Sequence, residues 1–158
     1  MGSPRSSSLP WFALLLTLVV SMTVLPGTAF AALGENESTI AAEQAQMNAT
    51  RRVTRASTQT IHEMQTPAGH VIREYVSPAG TVFGVTWQGP SKPDLKMLLG
   101  THFNELQPSA QTGVIRRGPI VIHQPGLVFE MGGHMRAFAG RAYLPQLLPA
   151  GVQADAIR

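Results

Sequence analysis

An α+β fold built on antiparallel strands is the class this 158-residue sequence predicts, and three patterns carry it. Two successive eleven-residue units, Thr66–Val76 and Ser77–Trp87, each open on a turn and close on a strand. Leu95, Leu98, Leu99, Phe103 and Leu106 recur at helical spacing. Three short apolar runs, Ile120–Gln124, Leu127–Met131 and His134–Tyr143, are separated by Pro125-Gly126 and Gly132-Gly133, which are hairpin signals.

The first segment lies outside that fold. Arg5 precedes a 15-residue apolar run, Trp11–Leu25, and Pro26-Gly27 leads to Ala29-Phe30-Ala31. This is the three-part layout of a secretory signal peptide (residues 1–31). A membrane-spanning helix needs roughly 20 apolar residues, so no stable transmembrane anchor is expected. Cleavage after Ala31 leaves 127 residues, 32–158. Residues 32–58 are rich in Ala, Gln, Ser, Thr and Asn. Their large apolar side chains are few, which predicts a flexible or weakly docked arm with at most a loose helix over 39–48.

A single α+β domain is expected over 59–158. In each repeat unit proline fixes φ at the first loop position and glycine accepts a left-handed third position, the three-residue hairpin loop. Three strands follow, over 59–65, 70–76 and 81–88. Counting outward from the loops pairs Ile61 with Tyr75 and Tyr75 with Phe83. Ile61, Val71, Tyr75, Phe83, Val85 and Trp87 then share a core face. Met64, Ile72, Val76 and Val82 share the other with His62, Glu74 and Thr86, half covered or covered by the arm or a partner. His62 faces Glu74 and Glu63 faces Arg73, cross-strand pairs of modest stabilising effect.

Ser91 reads as the N-cap of one amphipathic helix, with Asp94 three residues on, and Pro108 follows its end. Its leucine stripe is expected on the Tyr75/Phe83/Trp87 face. Beyond a polar linker over 108–118, the second antiparallel hairpin set extends or faces the first sheet. It puts Ile120, Ile122, Leu127, Phe129 and Met131 on one side, and Val121, His123, Val128 and Glu130 on the other. The tail from Leu144 to Arg158 docks through Leu147, Leu148, Val152 and Ile157.

Composition narrows the chemistry. Zero cysteines exclude disulfide scaffolds, thiol nucleophiles, thiolate-bound zinc and iron–sulfur clusters. Removing Arg5 with the signal peptide takes the net charge from +3 to +2. The basic residues are scattered and lack interleaved aromatics, which argues against nucleic acid. The histidines at 62, 70, 102, 123 and 134 show no metal-ligand spacing, so neither metal nor cofactor is expected. Serine-nucleophile turns, phosphate-cradling loops and glycosidase carboxylate pairs are likewise missing from the sequence. The convergence worth testing is His123, Glu130 and His134 around Gly132-Gly133.

The stretch Val71–Pro90 resembles the signature of a family of exported bacterial proteins catalogued as a domain of unknown function, family 2844. So do Pro93-Asp94-Leu95, Leu98-Leu99-Gly100, Gly132–Phe138 and Gly140–Pro145. The resemblance spans nearly the whole mature chain. It implies a periplasmic or secreted bacterial protein and carries no activity, cofactor or catalytic residue with it.

The expected function is accordingly a non-enzymatic binding module of the cell envelope or periplasm. Its partner is a protein or envelope component, met through the Met64/Ile72/Val76/Val82 face or the turn region Gly132, Gly133, His134 and Arg136, with His123 and Glu130 nearby. The alternative is a small hydrolase or metal-dependent enzyme using His123, Glu130 and His134.

Overall fold

The computed structural model describes residues 33–106 and 118–158. The expected signal peptide and most of the expected linker lie outside them. The class is mixed α+β with one antiparallel sheet of seven strands, ordered β1-β2-β3-β4-β7-β6-β5. They are β1 Thr50–Arg55, β2 Thr60–Gln65, β3 Val71–Val76, β4 Val82–Gly89, β5 Ile120–His123, β6 Val128–His134 and β7 Ala137–Tyr143. The later hairpins extend the first sheet through the β4–β7 pairing, Gly84 opposite Tyr143 to Gly89 opposite Phe138.

Two short α-helices are present among the described residues, one within the loose helix expected over 39–48 and one at the start of the expected amphipathic helix. The first, α1, is Ile40–Gln46 and follows a 3-10 turn over Glu37–Thr39. The second, α2, is Leu95–Leu99. Asp94, not Ser91, caps it: its Oδ1 accepts from the backbone N–H groups of Lys96 and Met97. Pro93, two residues after Ser91, lacks the N–H that a Ser91 cap would bind, whereas Asp94 is followed by donors. At Gly100 the backbone turns to φ 53 and the leucine stripe continues as a 3-10 helix to Leu106.

The register corrects the face assignment. Tyr75 stands opposite Gly84, not Phe83, because a bulge between Tyr75 and Val76 leaves one extra residue on β4. Every β4 side chain beyond it therefore lands on the face opposite to that expected. Val85 and Trp87 join Met64, Ile72, Val76 and Val82, and this is the main core, with α1, α2 and the following 3-10 turn packed over it. Met64, Val76 and Val82 are wholly buried and Ile72 nearly so. Of the arrangements expected for this face, half covered or covered by the arm or a partner, the structure has the arm over it. Leu33 and Ile40 seal it, and Leu33 N–H donates to the Leu98 carbonyl oxygen.

From residue 33 onward the segment read as an arm packs on the core through Leu33 and Ile40, and β1 adds an edge strand in register with β2. A few well-placed side chains and strand hydrogen bonds do what bulk composition did not advertise. The second face is a smaller core of Tyr75, Phe83, Val128 and Tyr143, closed by Ile157 with Leu148 and Val152. Tyr75 and Phe83 rings meet at 6.2 Å. In the tail, Ile157 is buried while Leu147 stays exposed.

Candidate functional site

On that second face the register aligns one residue per strand into a transverse row: Arg52, Glu63, Arg73, Thr86, Arg141, Glu130 and Val121. The row carries its own neutralisation. Arg73 Nε donates to Glu63 Oε2 at 2.7 Å. Arg141 grips Glu130 in two bonds, Nε to Oε2 at 2.9 Å and Nη2 to Oε1 at 3.1 Å. The third donor, Arg141 Nη1, reaches the carbonyl oxygens of Ala154 and Ile157 at 3.1 and 3.4 Å, tying the tail to the sheet. Tyr75 Oη adds a second tie: it donates to the Arg158 carbonyl oxygen at 2.6 Å and accepts the Arg158 N–H at 3.1 Å.

Beside this row the sheet is paved with small residues. Ala139 pairs with Gly132, and Gln88 pairs with Ala139. With the tied tail on one side and Pro119 and Val121 on the other, a cleft of about 570 Å³ opens above them. Arg73, Thr86, Gln88, Arg141 and Arg158 supply its polar lining, with Glu130 as its one acidic side chain. A neighbouring cleft of about 440 Å³, reaching Arg136 and Pro90, shares Gln88 and Ala139 with it.

The residues singled out from the sequence fall as follows. Gly132 is in the cleft floor and Gly133 at its rim, but neither is a turn. Strand β6 runs through both, and the two-residue turn is Met135-Arg136, with His134 opposite Ala137. A side chain at Gly133 would overlap the Ala137 carbonyl oxygen, so close β6–β7 approach accounts for that glycine. Arg136 holds a left-handed φ of 68 at the turn tip, next to Met135, which is 86% exposed.

His123 Nε2 stands 3.5 Å from Glu130 Oε1 with its side chain 63% exposed. His134 is not with them. It lies four positions along β6 from Glu130, over 10 Å of strand, and its Nδ1 is 3.1 Å from the Met135 carbonyl oxygen. The expected convergence of all three therefore fails, because a turn three residues later than Gly132-Gly133 pairs Glu130 with Arg141. The Arg141 hydrogen bonds hold the Glu130 carboxyl below the usual carboxylate range, the opposite of what a proton donor needs. Among the described residues no three His, Asp or Glu side chains are grouped to hold a metal ion.

Arg141, Arg73, Thr86, Gln88 and Arg158 were not read from the sequence as a site. A signal for Arg141 was present: a turn at Met135-Arg136 puts Glu130 and Arg141 face to face, an opposite-charge cross-strand pair that the Gly132-Gly133 turn forfeits.

Among the described residues no helix is long and apolar enough to cross a membrane. No curated protein and no solved structure matches the chain. A family model does match, over residues 29–157, which takes in the cleft lining except Arg158, and the chain belongs to the family described as protein of unknown function (DUF2844).

Proposed function

We propose that this chain is an exported, non-catalytic binding module of the periplasm or cell surface, and that it takes an amphipathic anion in the cleft above Gly132 and Ala139. The observation that carries the reading is the lining. Arg73 and Arg141, each paired with a carboxylate, Glu63 and Glu130, and Arg158, without an ion-pair partner among the described residues, line it over a floor of small residues. Two of the guanidiniums are already oriented by carboxylates, so they meet a ligand without first losing rotamer freedom. The space suits a small organic molecule. Gly132, Gly133, Glu130 and, through the adjoining cleft, Arg136 belong to this surface. His123 and His134 flank it. The acid–base alternative is less well supported, since Glu130 is committed to Arg141. The amino-terminal layout ending in Ala29-Phe30-Ala31 supports export, and recovery of the protein from an expressing bacterium with Ala32 as its first residue tests that part.

The ligand test uses anilinonaphthalene sulfonate, a flat apolar anion, as the probe. Saturable one-site fluorescence enhancement is expected with the wild-type chain. Gly132→Val, which fills the floor where only Pro119 stands 3.6 Å from an added Cβ, should abolish it while leaving the unfolding midpoint near wild type. Absence of binding, or binding indifferent to Gly132→Val, refutes the cleft as the site.

A further inference from the structure

The least expected feature of the molecule lies on the other face. Glu43 is 0% and Glu74 1% exposed, one on α1 and the other on β3, with their carboxyl groups within hydrogen-bond reach of each other. Ionised carboxylates only accept hydrogen bonds, and none of the four oxygens has a donor among the described residues. A single shared proton resolves this: Glu43 protonated donates to Glu74. We propose that this proton is a latch, and that α1 is a pH-dependent cover which stays down while the two carboxyls share a proton and lifts from the sheet when it is lost.

The surroundings decide which way the latch works. From the turn before α1 comes Glu37, whose Oε1 accepts from His62 Nε2 at 2.8 Å. Strand β1 supplies Arg51, whose charge favours ionised Glu74 and neutral His62, and Arg55, which also favours neutral His62. Strand β2 supplies His62 itself. Strand β4 places Val85 opposite Glu74, and α2 contributes Leu98 and Leu99 to the same core. No lysine or arginine is hydrogen-bonded to the carboxyl pair among the described residues. Burial drives both carboxyls upward, Glu43 to about 10 and Glu74 to about 7, with Glu74's charge adding to the shift at Glu43.

The sign follows. Both folded values lie above the ordinary 4.5, so the docked state holds protons that the undocked state has released. Docking is strongest at low pH and weakens as pH rises above 4.5 through the folded values. At the acid end His62, kept neutral chiefly by burial, works the other way, weakening docking as pH falls below its ordinary 6.5. Lifting has a place to pivot, since the chain leaves α1 at Asn48 with φ 49. It would uncover Met64 and Ile72.

Hydrogen exchange read by mass spectrometry, corrected for the intrinsic pH dependence of exchange, tests the latch on the full chain. Protection of the 40–47 segment should fall about a hundredfold between pH 6 and pH 8, about tenfold per pH unit for one proton, while β6 and β7 keep theirs. In Glu43→Gln the amide donates to Glu74 and only Glu74, raised chiefly by burial, still titrates, so the fall should be clearly shallower than in wild type across that range. Glu74→Gln provides the same reading if Glu43→Gln does not fold. A wild-type 40–47 segment whose protection ignores pH overturns the proposal. So does loss of protection by helix and strands together, or an undiminished slope in the glutamine variants.

Discussion

Gly140 and Gly132 sit on adjacent strands of one sheet, yet the same added methyl group should have opposite consequences at the two. A Cβ on Gly140 would overlap Trp87 Cζ2, and stand 2.6 Å from Trp87 Cε2 and 2.7 Å from the Glu130 carbonyl oxygen. Neither neighbour can retreat. Trp87 is buried against Phe129 with ring centroids 5.7 Å apart, and the Glu130 carbonyl belongs to the β6 backbone. Overpacking of this kind costs about 3 kcal/mol. At a urea dependence of about 1.5 kcal/mol per molar, Gly140→Ala should lower the unfolding midpoint by about 2 M. At Gly132 the nearest atoms to an added Cβ are Pro119 carbons at 3.6 and 3.7 Å, an ordinary contact, and replacing a strand glycine removes unfolded-state freedom worth about 0.5 kcal/mol. Gly132→Ala should therefore be neutral or slightly stabilising. The assay is equilibrium urea unfolding of both variants beside wild type. Gly140→Ala within about 0.5 kcal/mol of wild type, or the two variants indistinguishable, would refute the packing argument.

Tyr75→Phe removes both hydrogen bonds that tie Arg158 to the sheet; a loss of about 1–2 kcal/mol, with faster amide exchange over 154–157, is expected by denaturation and mass spectrometry. Asp94→Ala deletes the α2 cap and should cost about 1 kcal/mol by the same unfolding assay. Glu130, held low first by its Arg141 hydrogen bonds, contributes stability that is full above its ordinary 4.5 and lost as pH falls through the folded value. Unfolding between pH 3 and 6 should thus show a steeper acid limb in wild type than in Glu130→Gln. With Trp11→Phe in place, Trp87 is the only tryptophan, and its emission should be blue-shifted until denaturant exposes it; an exposed-indole maximum in the native protein would contradict its burial.

How much of this was legible beforehand depends on range. The α+β class was readable because apolar alternation and turn residues are local, and so was the sorting of Ile120, Ile122, Phe129 and Met131 away from Val121 and Glu130. The bulge at Tyr75/Val76 was not, since nothing in Val82-Phe83-Gly84 says which residue is the extra one, and that single slip sent Val85 and Trp87 to the wrong side. The cleft was half visible: its glycine floor stood out, but as a turn. Its arginines did not, because Arg73 and Arg141 come from strands 68 residues apart in sequence and meet only through β4. Glu43 carried no flag either; a carboxylate in an Ala- and Gln-rich segment reads as solvated until Glu74 is found beneath it.

The strand order has a consequence for how the chain reaches this state. Strands β1 to β4 are a run of sequence neighbours, as are β5 to β7, so each half can assemble from hairpins with short loops. Among the strand pairings only the β4–β7 seam joins residues 49 to 59 positions apart, and its closure must be met by chain entropy before any seam contact rewards it. The seam is therefore the kinetic bottleneck, and Trp87 stands in it opposite Gly140. A stopped-flow tryptophan trace would watch the two half-sheets find each other, and the methyl group of Gly140→Ala would slow that meeting rather than the formation of either half.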